Sequence, residues 1–346
     1  MHEDSPSIPP LFVCGTGRSG TWILYNCLAR HADIHTFPRE MRFLVDIDGL
    51  RTLVDALTIQ YHPAYAAEAI YRFEQLMGVF MTTPERAPYR GFDFDTWLGT
   101  PYYREQLSAF CGALVEHEFQ GVNWQVQPNN EGRLVAVARQ LQGLRQQIVG
   151  EPVLPYRIGL ERDHLDVIRY FADRGALAEL AGSFVSELFG HAARSNGRLT
   201  WCEKTPQTLL HLDFIWEILP HSVVVHMKRD PRGVLHSLRK QPWAPSDLEG
   251  AALWLRNMYR RWFDLKATFD LSQRRYLEVR LEEFCVQPEA VLEEICALAG
   301  LEYRFAELPA ISLEKADYWK HEMDREEQQR ATEILAPYVE WLGYEI

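Results

Sequence analysis

Closely spaced metal ligands and disulfide patterns are absent from this sequence. The six cysteines form no Cys-x-x-Cys pair, and the twelve histidines form no His-Glu-x-x-His motif and no Cys/His cluster. A structural zinc site needs such spacings, and a disulfide framework is typical of short secreted chains. We therefore expect free thiols, no metal site and a reducing, cytoplasmic location.

Long apolar runs and an excess of positive charge are also missing. No stretch approaches ~18 consecutive apolar residues, so the sequence predicts no membrane span. The first ten residues carry acids and prolines, unlike a signal or transit peptide. Lysine and arginine number 36 against 48 aspartates and glutamates, which gives a net charge of −12. That balance argues against broad nucleic-acid binding, although it allows one local basic pocket.

What remains is the pattern of a globular protein with strands and helices in alternation. The chain has 346 residues, of which 47% are hydrophobic, enough for a large core without disulfides or metals. Residues 11–14 form an apolar run closed by Gly15, which predicts a buried strand, and a helix is predicted from about 19 to 30. A second buried strand is predicted at 222–227. Weaker strand candidates are 199–202 and 276–279.

Alternating strands and helices predict an α/β fold in which helices wind a parallel sheet. We expect a single domain with a flexible stub at 1–10. The core should comprise residues 11–48 and 195–346 and bind a nucleotide. Residues 49–194 are predicted to form a large, mostly helical insertion that shapes a substrate site. A segment with several prolines and glycines near residues 150–159 predicts a break within it.

The segment after the first strand predicts an anion site. Its sequence is Gly15-Thr16-Gly17-Arg18-Ser19-Gly20-Thr21-Trp22, here named the front loop. Glycines allow successive backbone N–H groups to face one concavity, and the following helix N-terminus adds positive potential. The spacing of Gly15 and Gly20 is of the P-loop type. A P-loop that binds a nucleoside triphosphate, however, would carry lysine at position 21 and a magnesium-binding hydroxyl at position 22.

A second basic element follows the strand at 222–227. Arg229-Asp230-Pro231 predicts a helix start, with Asp230 as N-cap and Pro231 in the first turn. The guanidinium of Arg229 and the hydroxyl of Ser237, two helical turns later, can bind one phosphate from two sides. The alternative for this segment alone is a solvated basic helix face. Five basic residues lie within thirteen positions of this acidic chain: Lys228, Arg229, Arg232, Arg239 and Lys240.

Together these elements resemble the sulfotransferases that use 3′-phosphoadenosine 5′-phosphosulfate (PAPS). The resemblance implies a P-loop-type sheet, metal-independent transfer of a sulfuryl group to a hydroxyl, and release of 3′-phosphoadenosine 5′-phosphate (PAP). It implies that Arg229 and Ser237 bind the 3′-phosphate. The 5′-phosphosulfate would be bound by the front loop, through Gly17, Arg18, Ser19, Gly20, Thr21 and Trp22. Trp22 stands where the family usually has a second threonine.

The resemblance also suggests catalytic groups. Lys204, in Glu203-Lys204-Thr205-Pro206, matches a strand-end lysine of the family and would share charge stabilisation with Arg18. The histidine base of the cytosolic branch is replaced by Pro206. The stretch from His31 to Phe43 instead resembles the glycan and tyrosylprotein branches, with Glu40 matching their base. The alternative for Glu40 is a surface carboxylate paired with Arg39 or Arg42.

Other candidates are more open. His35 is a second candidate for the base, with a structural role as its alternative. Lys320 resembles a C-terminal phosphate contact. Several aromatic residues could line an acceptor pocket or belong to a helical core: Trp97, Tyr102, Tyr103 and Trp124.

The acceptor expected from this interpretation is a hydroxyl-bearing small molecule or saccharide, with no nucleic acid partner. Two alternatives stay open at this point. One is a P-loop kinase or NTPase, which would need magnesium. The other is a non-catalytic PAP-binding protein on the same fold. The sequence does not determine the oligomeric state.

Overall fold

The computed structural model describes residues 8–80, 99–119 and 165–346. The chain divides into two compact units. The first comprises Met1–Val45 and Val185–Ile346, and the second comprises Asp46–Phe184. The functions assigned above to the core and to the insertion stay predictions.

A five-stranded parallel sheet forms the centre of the first unit. Its order is β2-β5-β1-β6-β7, and an antiparallel pair, β3-β4, belongs to the second unit. The strands are β1 Leu11–Gly15, β2 Ile34–Thr36, β3 Val115–Phe119, β4 Leu165–Ile168, β5 Thr200–Glu203, β6 Val223–Lys228 and β7 Arg275–Arg280. The prediction of an α/β fold with a parallel sheet is confirmed.

Helices account for most of the remaining described chain. The α-helices are α1 Thr21–Leu28, α2 Leu50–Leu57, α3 Pro63–Phe80, α4 Thr100–Leu114, α5 Arg174–Ser195, α6 Leu212–Ile218, α7 Pro231–Leu238, α8 Leu248–Lys266, α9 Leu281–Val286, α10 Pro288–Ala299, α11 Glu314–Asp317, α12 Trp319–Glu322 and α13 Arg325–Trp341. Short 3₁₀ helices lie at Arg42–Leu44, Pro206–His211 and Leu271–Gln273.

The predicted strands lie close to their expected positions. Strand β6 begins one residue later than expected and pairs in register with β1, with Leu11 opposite Val223. Strand β7 is one residue longer at each end than the predicted segment 276–279. Strand β2 was not predicted, because it has only three residues and of these only Ile34 is fully buried.

Helix α1 is shorter than its predicted span of about 19–30. Gly20 has φ 94°, a left-handed conformation outside the helical region, so the helix begins at Thr21. At the other end the Arg30 N–H bonds to the Cys27 carbonyl, a tighter turn that ends the helix. The helix N-terminus therefore directly adjoins the front loop.

The core of the first unit lies where the sheet meets helices α1 and α10. Leu11, Val13 and Val225 are fully buried there against Leu24 and Leu292. All five residues of β1 are buried, as expected for a parallel strand covered on both faces. This packing holds the carboxyl ends of the strands, and the residues that follow them, in fixed positions.

The second unit contains α2, α3, α4 and the first part of α5. Phe110 and Phe184 stack there with ring centroids 4.5 Å apart, and both contact Phe73. The expectation of a mostly helical middle region is met in its described part, apart from the pair β3-β4. No helix among the described residues is both long and apolar enough to span a bilayer. All six cysteines are unpaired.

Glu278 of β7 is expected to contribute strongly to stability. Its carboxylate accepts hydrogen bonds from Lys228 at 2.7 Å and Lys266 at 2.5 Å, and its side chain is 21% exposed. Glu278→Gln leaves two partly buried ammonium groups without their anion, so we expect the free energy of unfolding to fall by about 3 kcal/mol. Chemical denaturation measures this change.

The matched control is Glu187→Gln, which removes an exposed carboxylate that pairs with exposed Arg194 at 3.5 Å. Its effect should stay below about 1 kcal/mol. Equal effects of the two substitutions would show that the Glu278 network does not stabilise the sheet.

Candidate active site

A cavity of about 1070 Å³ lies within the first unit. Its wall contains residues from the front loop, from the end of β5 and from helix α7. Most of the sequence-predicted site residues line it, namely Gly17, Arg18, Gly20, Thr21, Trp22, Glu40, Lys204, Arg229 and Ser237. The structure therefore brings together residues that lie more than 200 positions apart.

The front loop owes its shape to three residues with positive φ. Gly17, Arg18 and Gly20 have φ values of 79°, 57° and 94°. A side chain at Gly20 would also collide with Leu281, since its Cβ would lie 2.6 Å from a Leu281 methyl group. At Gly17 an added Cβ would meet no atom within 4 Å, so the backbone is open to the cavity there. Such a loop presents backbone N–H groups to a ligand.

Ser19 supplies a buried hydroxyl inside the loop. The residue is 1% exposed, and its Oγ has no hydrogen-bond partner among the described residues. Buried hydroxyls are usually paired, because an unpaired one loses its interactions with water. This hydroxyl lies next to the start of α1, where an anionic oxygen would be a suitable partner, although Ser19 is not among the residues that line the cavity.

The front loop and the segment Arg229–Ser237 are joined by direct hydrogen bonds. Arg18 Nε donates to Ser237 Oγ at 3.0 Å, and Arg229 Nη1 donates to the Arg18 carbonyl at 3.2 Å. Arg229 also donates to the Ala316 carbonyl, with its shorter contact at 2.7 Å. Two guanidinium groups and a hydroxyl thus concentrate positive charge and donors at one part of the cavity.

Helix α7 begins as the sequence predicts. The Asp230 side chain accepts from the Arg232 N–H at 2.9 Å, and Pro231 occupies the first helical position. This cap fixes the helix at the end of β6. As a result Ser237, two turns along the helix, is held where it meets Arg18.

Lys204 and Glu40 form an ion pair in the same cavity. Lys204 Nζ lies 2.8 Å from Glu40 Oε1 and 4.9 Å from the centre of the Trp22 ring. The other Glu40 oxygen lies 3.4 Å from Arg42. A carboxylate that can accept a proton and a cation that can stabilise negative charge are therefore adjacent.

Glu203, directly before Lys204, is a further carboxylate that the sequence interpretation did not single out. It is 1% exposed. Its Oε1 accepts from the Met41 N–H at 2.9 Å and from Thr205 Oγ1 at 2.6 Å, whereas Oε2 has no partner in the described residues. Burial raises the pKa of Glu203 from 4.5 to about 7, although these hydrogen bonds oppose the shift.

The raised pKa of Glu203 predicts a pH-dependent stability. Its protonated form favours the folded state below pH 4.5, and this contribution is lost as the pH rises through about 7. The glutamine of Glu203→Gln cannot ionise. The unfolding free energy of this variant minus that of wild type should therefore be larger at pH 8 than at pH 5. Chemical denaturation at both pH values measures the difference, and an unchanged difference would contradict the shift.

Comparison with known proteins identifies the family. A family model described as "Sulfotransferase family" matches residues 106–305, which are 200 of the 346 residues. The chain belongs to the sulfotransferase family. The matched range contains Lys204, Arg229 and Ser237 but excludes the front loop and Glu40. No curated protein matches the chain.

The solved structures to which this chain is similar share little sequence with it. The sulfotransferase domain of the Synechococcus PCC 7002 olefin synthase is 16% identical, covers 95% of this chain and 94% of its own, and has a TM-score of 0.46. The sulfotransferase domain of the curacin biosynthetic pathway is 13% identical, with 98% of each chain covered and a TM-score of 0.43. Sulfotransferase STF9 from Mycobacterium avium is 15% identical, covers 99% of this chain and 79% of its own, and has a TM-score of 0.40.

Several residues predicted for the site are not among those that line this cavity in the described part of the chain. Lys320 does not line this cavity; it pairs with Asp317 at 3.0 Å and borders a second cavity of about 700 Å³. His35 is also absent from the cavity wall, and burial lowers its pKa. Tyr103 is fully buried, and its hydroxyl donates to the Met77 carbonyl. Trp97 and Trp124 lie outside the described residues.

The cavity wall also contains residues that sequence reasoning missed. They are Gln207, Trp243, Trp254, Leu281, Glu314 and Tyr318, together with Arg42. The rings of Trp243 and Trp254 follow the basic segment in sequence and lie 5.8 Å apart between centroids, with Trp243 exposed and Trp254 partly buried. Tyr318 adjoins the predicted Lys320 and lies against the Arg229 guanidinium at 5.3 Å. Among the described residues, no group of three or more potential ligands could hold a metal ion.

Proposed function

We propose that this sulfotransferase is a PAPS-dependent O-sulfotransferase with Glu40 as its general base. One observation carries the proposal: a single cavity contains the Arg18–Ser237 contact at 3.0 Å and the Lys204–Glu40 pair at 2.8 Å. The first is a concentrated anion-binding group, and the second is a base next to a cation. A donor with two anionic ends needs the first group for binding. Transfer of its sulfuryl group to a hydroxyl needs the second.

The front loop fits the 5′ end of the donor. Ser19 Oγ is a buried hydroxyl without a partner among the described residues, and the backbone at Gly17 is open to the cavity. The N-terminus of α1 adds positive potential next to both. These groups would hold the phosphosulfate oxygens, while Thr21 and Arg18 supply further donors.

Arg229 and Ser237 fit the 3′-phosphate. A guanidinium binds phosphate through parallel N–H donors, and the Ser237 hydroxyl adds a donor from α7. Arg18 contacts Ser237 directly and Arg229 through its own carbonyl, so both phosphate sites share one hydrogen-bonded framework.

Bound PAPS supplies an activated sulfuryl group whose leaving group is PAP. The Glu40 carboxylate accepts the proton of an acceptor hydroxyl, and that oxygen forms the new bond to sulfur while the bond to the 5′-phosphate oxygen breaks. Lys204 donates to the departing oxygen, with Arg18 sharing the negative charge. The products are a sulfate monoester and PAP.

The acceptor in this proposal is a hydroxyl-bearing small molecule or saccharide. Trp22, 53% exposed, and Gln207 line the cavity together with Glu40 and Lys204. An indole face and an amide suit a neutral acceptor that combines an apolar surface with hydroxyl groups.

The test is an assay of PAP release from PAPS over a library of phenols, alcohols and saccharides. We expect PAP release that depends on the acceptor, that yields a sulfate ester by mass spectrometry and that persists in EDTA. Magnesium-dependent ATP turnover in place of PAPS consumption would favour a kinase. Tight PAP binding without turnover on any acceptor would favour a non-catalytic binding protein.

A further inference from the structure

Glu203 connects two parts of the candidate site that are distant in sequence. Its Oε1 accepts from the Met41 N–H and from Thr205 Oγ1, and Met41 lies 162 positions away. Met41 directly follows Glu40, and Lys204 lies between Glu203 and Thr205. One buried oxygen thus links Met41, the residue after Glu40, to Thr205, the residue after Lys204.

The segment that carries Glu40 has no regular secondary structure of its own. The segment lies between β2 and the 3₁₀ helix at Arg42–Leu44. At its start, the Tyr25 hydroxyl donates to the Phe37 carbonyl and accepts from the Phe37 N–H. Its end is held by Glu203 through the Met41 N–H. Glu40 lies between these two attachments, so its position depends on both.

We infer that Glu203 is a positioning residue that sets the separation between Glu40 and Lys204. The inference rests on the proposed function, because it assigns Glu203 a role in the reaction of that pair. Glu203 Oε1 hydrogen-bonds Met41 and Thr205, and among the described residues Glu203 is not one that lines the cavity. Its effect on chemistry passes through Glu40 and Lys204.

The buried charge state of Glu203 agrees with this role. Burial favours the protonated carboxyl, which retains Oε1 as acceptor for Met41 and Thr205. Other titratable groups that interact with the Glu203 charge are Glu40, Lys204, Tyr25, Cys14 and Cys202. Glutamine has the same shape as the protonated acid and keeps the acceptor oxygen, whereas alanine removes it.

The experiment compares Glu203→Ala with Glu203→Gln in the full-length protein. For Glu203→Ala we expect kcat to fall about 10- to 100-fold, with the KM for PAPS and the Kd for PAP unchanged. Glu203→Gln should retain most of the wild-type kcat, because the amide oxygen can accept the same two hydrogen bonds. Thr205→Val removes one of the two hydrogen bonds, so its kcat should fall between those of the two Glu203 variants.

Folding effects are separated by counting PAP-binding sites by calorimetry and expressing kcat per site. Glu68→Ala, which removes another buried carboxylate outside the cavity, serves as the control for general destabilisation. If Glu203 were merely structural, Glu203→Ala would lower the number of sites and leave kcat per site unchanged. That result would overturn the inference.

A crystal structure of Glu203→Ala tests the same inference without activity. We expect the distance from Lys204 Nζ to Glu40 Oε1 to exceed hydrogen-bonding range, compared with 2.8 Å in the wild-type chain. An unchanged distance would overturn the positioning role even if the protein transfers sulfate. A wild-type protein without sulfuryl transfer would overturn the proposed function, while the distance would still decide the role of Glu203.

Discussion

Glu40→Gln is expected to lower kcat for sulfuryl transfer by about 10²- to 10⁴-fold while PAP binding is retained. The amide still offers an oxygen to Lys204, which lies 2.8 Å from the carboxylate, so the local structure should persist. What is lost is the carboxylate proposed to accept the proton of the acceptor hydroxyl. Steady-state kinetics with saturating PAPS measures kcat, and calorimetry with PAP measures binding. Glu40→Ala should lower kcat over the same range.

The control for Glu40 is Glu187→Gln, an exposed carboxylate outside the cavity, which should leave kcat unchanged. Wild-type turnover in Glu40→Gln would remove Glu40 from the role of base. In that case the Lys204–Glu40 pair would be an ion pair without a part in proton transfer.

Arg229→Ala is expected to weaken the binding of both PAPS and PAP by about 10- to 100-fold, corresponding to the loss of charge-assisted hydrogen bonds. Arg229 lies in the cavity wall and also donates to the carbonyls of Arg18 and Ala316. Its removal would therefore take away the proposed phosphate donor and the hydrogen bond to the front loop. Calorimetric titration with PAP gives the Kd directly.

The control for Arg229 is Arg330→Ala, which removes an exposed arginine that pairs with Glu249 on the surface. This variant has the same change in net charge and should bind PAP like wild type. An unchanged PAP affinity in Arg229→Ala would contradict its assignment to the nucleotide.

The parts of this molecule that sequence alone could predict depend on local rules. Glycine at position 20 permits a positive φ, and Asp230 and Pro231 start a helix by capping and by ring geometry. A wholly apolar run such as Val223–Val225 predicts a buried strand. Because these signals lie within a few residues of one another, no long-range information was needed to place the front loop and helix α7.

The parts that could not be predicted depend on contacts between distant positions. Nothing near Glu203 in the sequence indicates that it accepts a hydrogen bond from Met41. Lys320 borders the second cavity, whereas Tyr318, two residues earlier, lines the first. The phosphate contact expected of Lys320 stays a prediction. Such outcomes are decided by how α11 and α12 pack, which a local pattern does not report.

The joint action of the front loop and the Arg229–Ser237 segment on one nucleotide can be tested by calorimetry with PAP and, separately, with adenosine 5′-monophosphate, which lacks the 3′-phosphate. We expect one PAP site per chain and an affinity for PAP about 10- to 100-fold greater than for the monophosphate, because only PAP engages Arg229 and Ser237. Equal affinities for the two nucleotides, or no heat with PAP, would contradict the assignment of both elements to a single bound PAP.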